Sequence, residues 1–366
     1  MKVAIVCDWL TNVGGAEKVL LEIHRLYPKA PIYTSKYSPY RISWFRDADV
    51  RTGWLNIFPV CFRRILGPLR QRWFSHLDLS EYDLVISVTG AEAKAVCRLK
   101  PGAKHISYCH VPTQYYWQLY DMYVKNPGFG FLNPIVRFFF KLLVKPLREK
   151  DFESAQRVDE FITISSYAKE LIAKYYKREA TVIHPPVDID EFSNRKDLSR
   201  AASYITTSRQ VNWKRIDLAV KACRELKREL LVVGEGPEHS RLVKISGNSE
   251  FVKFLPLMGK EELSKLLAGA KGYIFPSLEP FGIAPVEALA SGCPVIAFGE
   301  GGALDYVVDG KNGILFEKQT VSSIKEAILE FEKKKFDRLE VSKSARGFSV
   351  ERFDHEIKEF IYEKAK

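Results

Sequence analysis

The sequence has no CxxC pair among its six cysteines, Cys7, Cys61, Cys97, Cys109, Cys223 and Cys293. That excludes a zinc ribbon and a disulfide framework, and points to reduced, mostly buried thiols of a cytosolic protein. No stretch approaches the ~18 uninterrupted apolar residues that a membrane span needs. The opening Met-Lys-Val-Ala-Ile-Val-Cys-Asp has an apolar run too short for a signal peptide, and it ends on an acid. A GxGxxG fingerprint is missing, and no acidic residue follows a second strand at the distance a dehydrogenase requires. Acids are absent altogether from Val50 to Leu77, where Arg51, Arg63, Arg64, Arg70 and Arg72 stand among bulky apolar residues such as Trp54, Phe58, Phe62, Trp73 and Phe74.

What is present suits a large globular protein. The 366 residues are enough for two ordinary domains, and an apolar content of 46% supports substantial cores. A formal charge of +11 is compatible with nucleic acid, anionic lipid or a phosphorylated substrate, or simply with a basic soluble protein. The basic and apolar mixture of 50–77 returns at 135–150. Such interleaving suits a helix lying in an anionic membrane interface. It equally suits apolar faces packed inside a domain with their bases solvated. An aromatic nucleic-acid groove would have the same composition, but no nucleic-acid motif accompanies it.

Strand-like and helix-like runs alternate through both halves. Val3 to Cys7 reads as a buried strand, Thr11 to Gly15 as a turn, and Ala16 to Tyr27 as a helix with apolar residues at 16, 19, 20, 23 and 26. Gly14 and Gly15 thus precede a helix N-terminus, the arrangement in which backbone amides meet phosphate. Strands are expected at 82–88, 104–108 and 161–165, with a helix at 166–176. His110 falls at the end of the second of these strands, a position that favours function. Residues 186–200, which hold Asp188 and Asp190, read as a linker whose acids serve turns and caps rather than a metal. A second series follows, with strands at 204–206, 229–233 and 251–255 and helices at 216–226 and 260–269.

The most informative stretch is 277–298. A strand ending near Pro276 feeds a loop holding Glu279, then a helix from about 284 to 291, then a strand from 294 to 298. Glu287 lies eight residues after Glu279, in what reads as the first helical turn with Pro285 at its start. The amides of Phe281, Gly282 and Ile283 are then available to a polar ligand, unless Glu287 only caps its own helix. Arg209 and Lys214, five apart in a loop at another strand end, suit one diphosphate. Gly234 ends the next strand. Residues 349–366 read as an amphipathic helix with Phe353, Ile357, Phe360 and Ile361 on one side.

Ser208-Arg209-x4-Lys214, Val233-Gly234-Glu235-Gly236-Pro237, Glu279-Pro280-Phe281-Gly282-x4-Glu287 with Ser291-Gly292-Cys293-Pro294, and Gly301-Gly302 with Val308-Asp309-Gly310 together resemble the retaining GT-B glycosyltransferases of family 4. The resemblance is strongest over 204–316 and looser over 1–190. The Trp9-Leu-Thr start and the Tyr108-Cys109-His110 stretch look most like mannosyltransferases of surface-polysaccharide assembly.

The resemblance implies a GT-B fold: two Rossmann-like doubly wound α/β domains facing a cleft, with the C-terminal helix crossing back to the N-terminal domain. Boundaries follow as 1–185 plus 349–366 for the acceptor side, and 201–348 for the donor side. By the same resemblance, Arg209 and Lys214 grip the donor diphosphate and Glu287 takes the ribose hydroxyls. Glu279, with Phe281, Gly282 and Ile283, holds the donor sugar. Gly14, Gly15 and Gly234 bring backbone near the donor, Met258 borders the nucleobase, and His110 positions the sugar. No metal and no cofactor are implied. The implied reaction is retaining transfer of mannose from GDP-mannose to a lipid-linked or glycan acceptor, by a peripheral protein on the cytoplasmic membrane face. UDP-glucose or another nucleotide sugar is the alternative donor, and a catalytically silent glycan-binding scaffold the alternative of another class.

Overall fold

A computed structural model describes residues 1–60, 62, 66–125, 127–128, 130–193 and 201–364. Arg63, Arg64 and Cys61, together with residues 194–200 of the expected linker, lie outside the described residues. The chain forms two compact units, one of Met1–Pro185 with Phe353–Lys366, the other of Pro186–Arg352.

The first unit is built on strands β1 (Val3–Cys7), β2 (Ile32–Thr34), β3 (Val50–Thr52), β4 (Asp78–Leu79), β5 (Leu84–Thr89), β6 (Arg98–Leu99), β7 (Lys104–Cys109), β8 (Glu160–Thr163) and β9 (Thr181–Val182). Seven of them form one sheet in the order β3-β2-β1-β5-β7-β8-β9, and β4 pairs with β6. Every pairing is parallel. Helices therefore cover both faces of the main sheet, which is why Leu84–Thr89 is buried at every position. The C-terminal helix Val350–Lys364 buries Phe353, Ile357, Phe360 and Ile361. Phe353 meets Tyr108 of β7 edge-on at 5.9 Å.

The second unit carries β10 (Tyr204–Thr207), β11 (Leu230–Val233), β12 (Val252–Leu255), β13 (Gly272–Phe275), β14 (Val295–Phe298) and β15 (Gly313–Phe316). They form one parallel sheet in the order β12-β11-β10-β13-β14-β15. In both sheets the chain first winds outward from a central strand and then returns to its other side. That reversal, between β1 and β5 and between β10 and β13, opens a crevice at the strands' carboxyl ends. The doubly wound arrangement expected of both halves is the one the structure has.

The linker expectation needs correction over 186–193. Val187 donates its amide to the Phe348 carbonyl at 2.9 Å, and the helix Ile189–Ser193 buries Ile189 and Phe192 in the second unit. Asp188 is held by Lys260 at 2.6 Å. These contacts make the stretch part of the second unit's core and give Asp188 an ammonium partner.

Both basic, apolar stretches turn out to be partly structural. Arg70 is buried on Glu92 at 2.9 Å and lies over the Trp9 ring, and Phe74 is a core residue. The 135–150 stretch belongs to one long helix, Asn133–Gln156. Its Arg148 sits over Trp117 and Tyr120 and donates to the Tyr116 carbonyl. Among the described residues no helix is long and apolar enough to cross a membrane.

That helix also delivers Asp151 to the centre of the first unit. Asp151 is fully buried and accepts from Lys94 Nζ at 2.6 Å, Thr113 Oγ1 at 2.9 Å, Trp117 Nε1 at 2.7 Å and the Tyr176 hydroxyl at 2.8 Å. It thereby joins the loop after β5, the loop after β7 and the helix Ser166–Tyr176. A buried ion pair is worth little compared with an apolar replacement, yet breaking it strands a charge.

Asp151→Asn should therefore lower stability by about 3–5 kcal/mol in urea unfolding. Lys94→Met/Asp151→Asn, which removes both charges, should lose clearly less. His105 generates a second expectation. It is fully buried on β7 with Nε2 beside Ser87 Oγ at 2.9 Å, and burial lowers its pKa to about 4. The unfolded chain, titrating near ~6.5, binds the proton first as pH falls. The His105 contribution is thus complete above that value and is lost progressively toward pH 4, at up to about 1.4 kcal/mol per pH unit. Melting curves across this range should flatten in His105→Gln.

Candidate functional site

In the second unit the crevice at the switch point is walled by the loops after β10 and β13. The loop after β10 runs from Ser208 through a 3-10 turn, Asn212–Lys214, to the helix Ile216–Leu226. Gln210 anchors it. Its amide nitrogen donates to the Gly234 carbonyl at 2.6 Å, and its amide oxygen meets His239 Nδ1 at 2.8 Å. Its backbone amide donates to the Glu235 carbonyl at 2.7 Å, and its carbonyl accepts from Glu238 at 3.0 Å. The cationic loop is thereby knitted to the turn after β11. Gly234 permits the contact: at φ 121° a Cβ there would lie 2.3 Å from the Ser208 carbonyl oxygen. Gly234 thus shapes this loop through its backbone.

The loop after β13 carries Glu279 into the same crevice. Its carboxylate forms an ion pair with Lys214 Nζ and accepts from Ser277 Oγ at 2.8 Å. Both partners keep a little under a fifth of their side chains exposed, 17% for Lys214 and 18% for Glu279. Behind the loop, Gly302 donates to the Glu279 carbonyl at 2.8 Å, and the Tyr306 hydroxyl donates to the Phe281 carbonyl at 2.9 Å. The Phe281 ring is buried against Tyr306 and Phe348. Gly282, at φ 97°, caps the helix Ile283–Ala290 without a side-chain bond, and a Cβ there would lie 2.8 Å from the Phe275 ring.

The helix starts earlier than its sequence suggests. Ile283 is its first residue and Pro285 its third, so Glu287 lies in the second turn, beyond the first-turn amides. The reading of Glu287 as a cap of its own helix falls with that register. Glu287 is half-buried, and so is Met258, in the loop after β12 beside the exposed Leu257. Arg209 is exposed on the Gln210 loop. The structure brings Lys214 and Glu279 into direct contact. For Arg209, Glu287 and Met258 it gives only neighbouring positions at the same sheet edge.

The first unit has its own crevice between β1 and β5. Gly14 is the extended N-cap of the helix Gly15–Leu26, so the turn and helix fall where the sequence puts them. His110 follows β7, donates its backbone amide to the Thr89 carbonyl at 2.8 Å, and meets Tyr108 edge-on at 5.6 Å. Burial lowers its pKa to about 4, so the ring is neutral at ordinary pH. It can position a hydroxyl but brings no positive charge.

Sequence reasoning missed Asp8, at the end of β1. Its buried carboxylate accepts from Thr89 Oγ1 at 3.0 Å and from the amides of Gly90 and Ala93 at 2.8 Å each, fastening the loop after β5 to β1. Burial, with Glu92 nearby, pushes its pKa up. The only signal was an acid closing an apolar strand. Glu92 and Gln210 left none, because their partners are distant in sequence.

This arrangement can hold an anion and a polyhydroxylated group side by side, using cations from one loop and a carboxylate and helix amides from the next. Among the described residues no cluster of three metal-ligating side chains occurs.

Comparisons with known proteins agree with the architecture. Residues 13–191 match Glycosyltransferase Family 4, and residues 187–348 match Glycosyl transferases group 1. A GDP-mannose-dependent alpha-(1-6)-phosphatidylinositol monomannoside mannosyltransferase of Mycolicibacterium smegmatis is 30% identical over 45% of this chain and 50% of its own length. The GtfA subunit of a UDP-N-acetylglucosamine–peptide N-acetylglucosaminyltransferase of Streptococcus pneumoniae is 33% identical over 45% of this chain and 35% of its own. The matches to both relatives thus span half of their length or less. Anabaena HepE, solved with UDP, superposes with a TM-score of 0.70 at 19% identity over 99% of this chain and 100% of that one. With its two halves matched in turn by these family descriptions, on two doubly wound parallel sheets, the chain belongs to the GT-B glycosyltransferases of family 4.

Proposed function

We propose that the chain is a retaining glycosyltransferase that moves mannose from GDP-mannose to a lipid-linked or glycan acceptor without a metal ion. The observation that carries this reading is the meeting of Lys214 and Glu279 at the switch point of the second sheet. A diphosphate needs compensating charge, and Lys214 with Arg209 on one loop supplies two cations. A sugar needs hydrogen-bond acceptors, and Glu279 supplies a carboxylate four residues before the helix Ile283–Ala290 opens. Glu287 is assigned to the ribose and Met258 to the edge of the base. In the first unit, His110 is assigned hydrogen bonding by its neutral ring, and Gly14 with Gly15 close backbone approach.

In the proposed reaction the bond from the sugar's anomeric carbon to the diphosphate oxygen breaks as negative charge grows on the leaving group. Arg209 and Lys214 stabilise that charge electrostatically, the work a divalent ion performs elsewhere. The acceptor oxygen bonds to the anomeric carbon on the face being vacated, and its proton passes to the departing phosphate oxygen. GDP and the extended acceptor result. No side-chain base is required, which suits the neutral, low-pKa His110.

Relatives divide over the donor. The mycobacterial relative's name specifies GDP-mannose, whereas the streptococcal one specifies UDP-N-acetylglucosamine and HepE was solved with UDP. A UDP-sugar is therefore the second reading. Thermal shifts with a panel of nucleoside diphosphates and nucleotide sugars separate the two. GDP and GDP-mannose should stabilise the protein most, by about 2.7 kcal/mol at a hundredfold excess over Kd. Equal or larger shifts with UDP compounds would move the assignment to a UDP-sugar.

Glu279→Ala should reduce turnover at saturating donor about tenfold to hundredfold, the worth of a hydrogen bond to a charged group. GDP affinity should hold or rise, because Lys214 is released from its carboxylate rather than removed. Glu287→Ala should weaken GDP binding instead. Measured GDP affinities and turnover that reversed this pattern would exchange the two roles.

A further inference from the structure

The outer face of the helix Asn133–Gln156 changes character halfway along. Its inner face is ordinary, with Val144, Leu147, Asp151 and Ala155 buried and Phe140 against Tyr120. Facing outward, Ile135, Phe138, Phe139, Leu142 and Leu143 are 57%, 65%, 53%, 63% and 42% exposed, and Phe131 just before the helix is 90% exposed. Two turns later the outward residues are Glu149, Lys150 and Glu153. The bare apolar stripe is thus confined to about 12 Å of helix, from residue 135 to 143.

Charge on this segment has one sign. From Met122 to Arg148 there is no acidic residue, and Lys141 and Lys145 are exposed along one flank of the stripe. Arg137 is spent internally, donating to the carbonyls of Val124 and Lys125 at 2.8 and 2.9 Å. A stripe of large apolar side chains flanked only by ammonium groups complements a surface with anionic heads above an apolar layer. A protein groove lined by basic side chains would ask for acids in return, and this segment has none.

We propose that residues 131–145 form a docking surface for a bilayer of anionic phospholipid, the helix lying in the interface to a depth of about 5–10 Å. The charged second half, beginning at Glu149, stays in water, so insertion ends where the outer face turns polar. The 50–77 stretch is left out of this assignment: Trp54, Ile57, Phe62 and Leu69 are exposed there too, but Arg70 and Phe74 are buried and Arg51 is paired with Asp49. The proposal goes beyond the transferase reading and does not depend on it.

Sedimentation of the full chain with vesicles tests it without donor or acceptor. The protein should pellet with phosphatidylcholine vesicles containing phosphatidylglycerol at low salt, and much less with phosphatidylcholine alone. Phe138→Ser/Leu142→Ser should abolish pelleting. Lys141→Gln/Lys145→Gln should lower the partition coefficient about 25-fold, from about 1 kcal/mol per basic residue near the surface. These side chains are exposed, so melting temperatures should match the wild type. Added salt should release the wild type, a readout that needs no variant. No pelleting on any vesicle, or undiminished pelleting by the folded Phe138→Ser/Leu142→Ser protein, would overturn the proposal. So would a variant that only dissociates a dimer, which would make the occupant a second copy of the chain.

Discussion

A parallel sheet covered on both faces leaves only its strand ends for chemistry. That constraint governs both units of this protein. Strands such as β5 and β13 are buried along their whole length, so their faces can serve only packing. Where the winding direction reverses, neighbouring loops separate, and the residues after β10 and β13 meet across the gap. The Lys214–Glu279 contact, between residues 65 positions apart, is a product of that topology. So is the placing of Asp8 against Thr89 and Gly90 in the first unit.

Much of this was legible because strands and helices have different hydrophobic periods. Val3–Cys7, Ser166–Tyr176, Ile216–Leu226 and Lys260–Gly269 have the bounds that their patterns give. The helix beginning at Ile283 starts one residue before the 284 that its pattern gives, because the chain turns already at Gly282. Arg209, Lys214 and Glu279 are legible as strand-end residues because charged side chains there stand out against apolar runs. Asp151, Glu92 and Gln210 are not, because each is a polar residue whose meaning lies in a distant partner. Lys94 reaches Asp151 across 57 positions, and nothing local to either announces the pair.

The two basic stretches teach the converse. Composition makes 50–77 and 135–150 look alike, and in each of them burial divides the side chains between interior and surface. Arg70 is locked on Glu92 in the interior, whereas Lys141 and Lys145 remain at the surface beside apolar side chains that are also exposed. Charge and hydropathy read along the chain cannot tell a buried cation from a solvated one when the deciding acid lies 22 residues away.

The Lys214–Glu279 pair has one more consequence for the proposed reaction. An ammonium already satisfied by a carboxylate gains from a diphosphate only the difference between two partners. Turning to phosphate, it leaves Glu279 in a crevice with little water, tolerable only when sugar hydroxyls take its place. A nucleotide that carries its sugar satisfies both residues, and one that has lost it satisfies only the lysine. The pair would therefore favour loading of intact donor and hasten departure of the spent nucleotide, so that the same contact sets both the entry and the exit of the cycle.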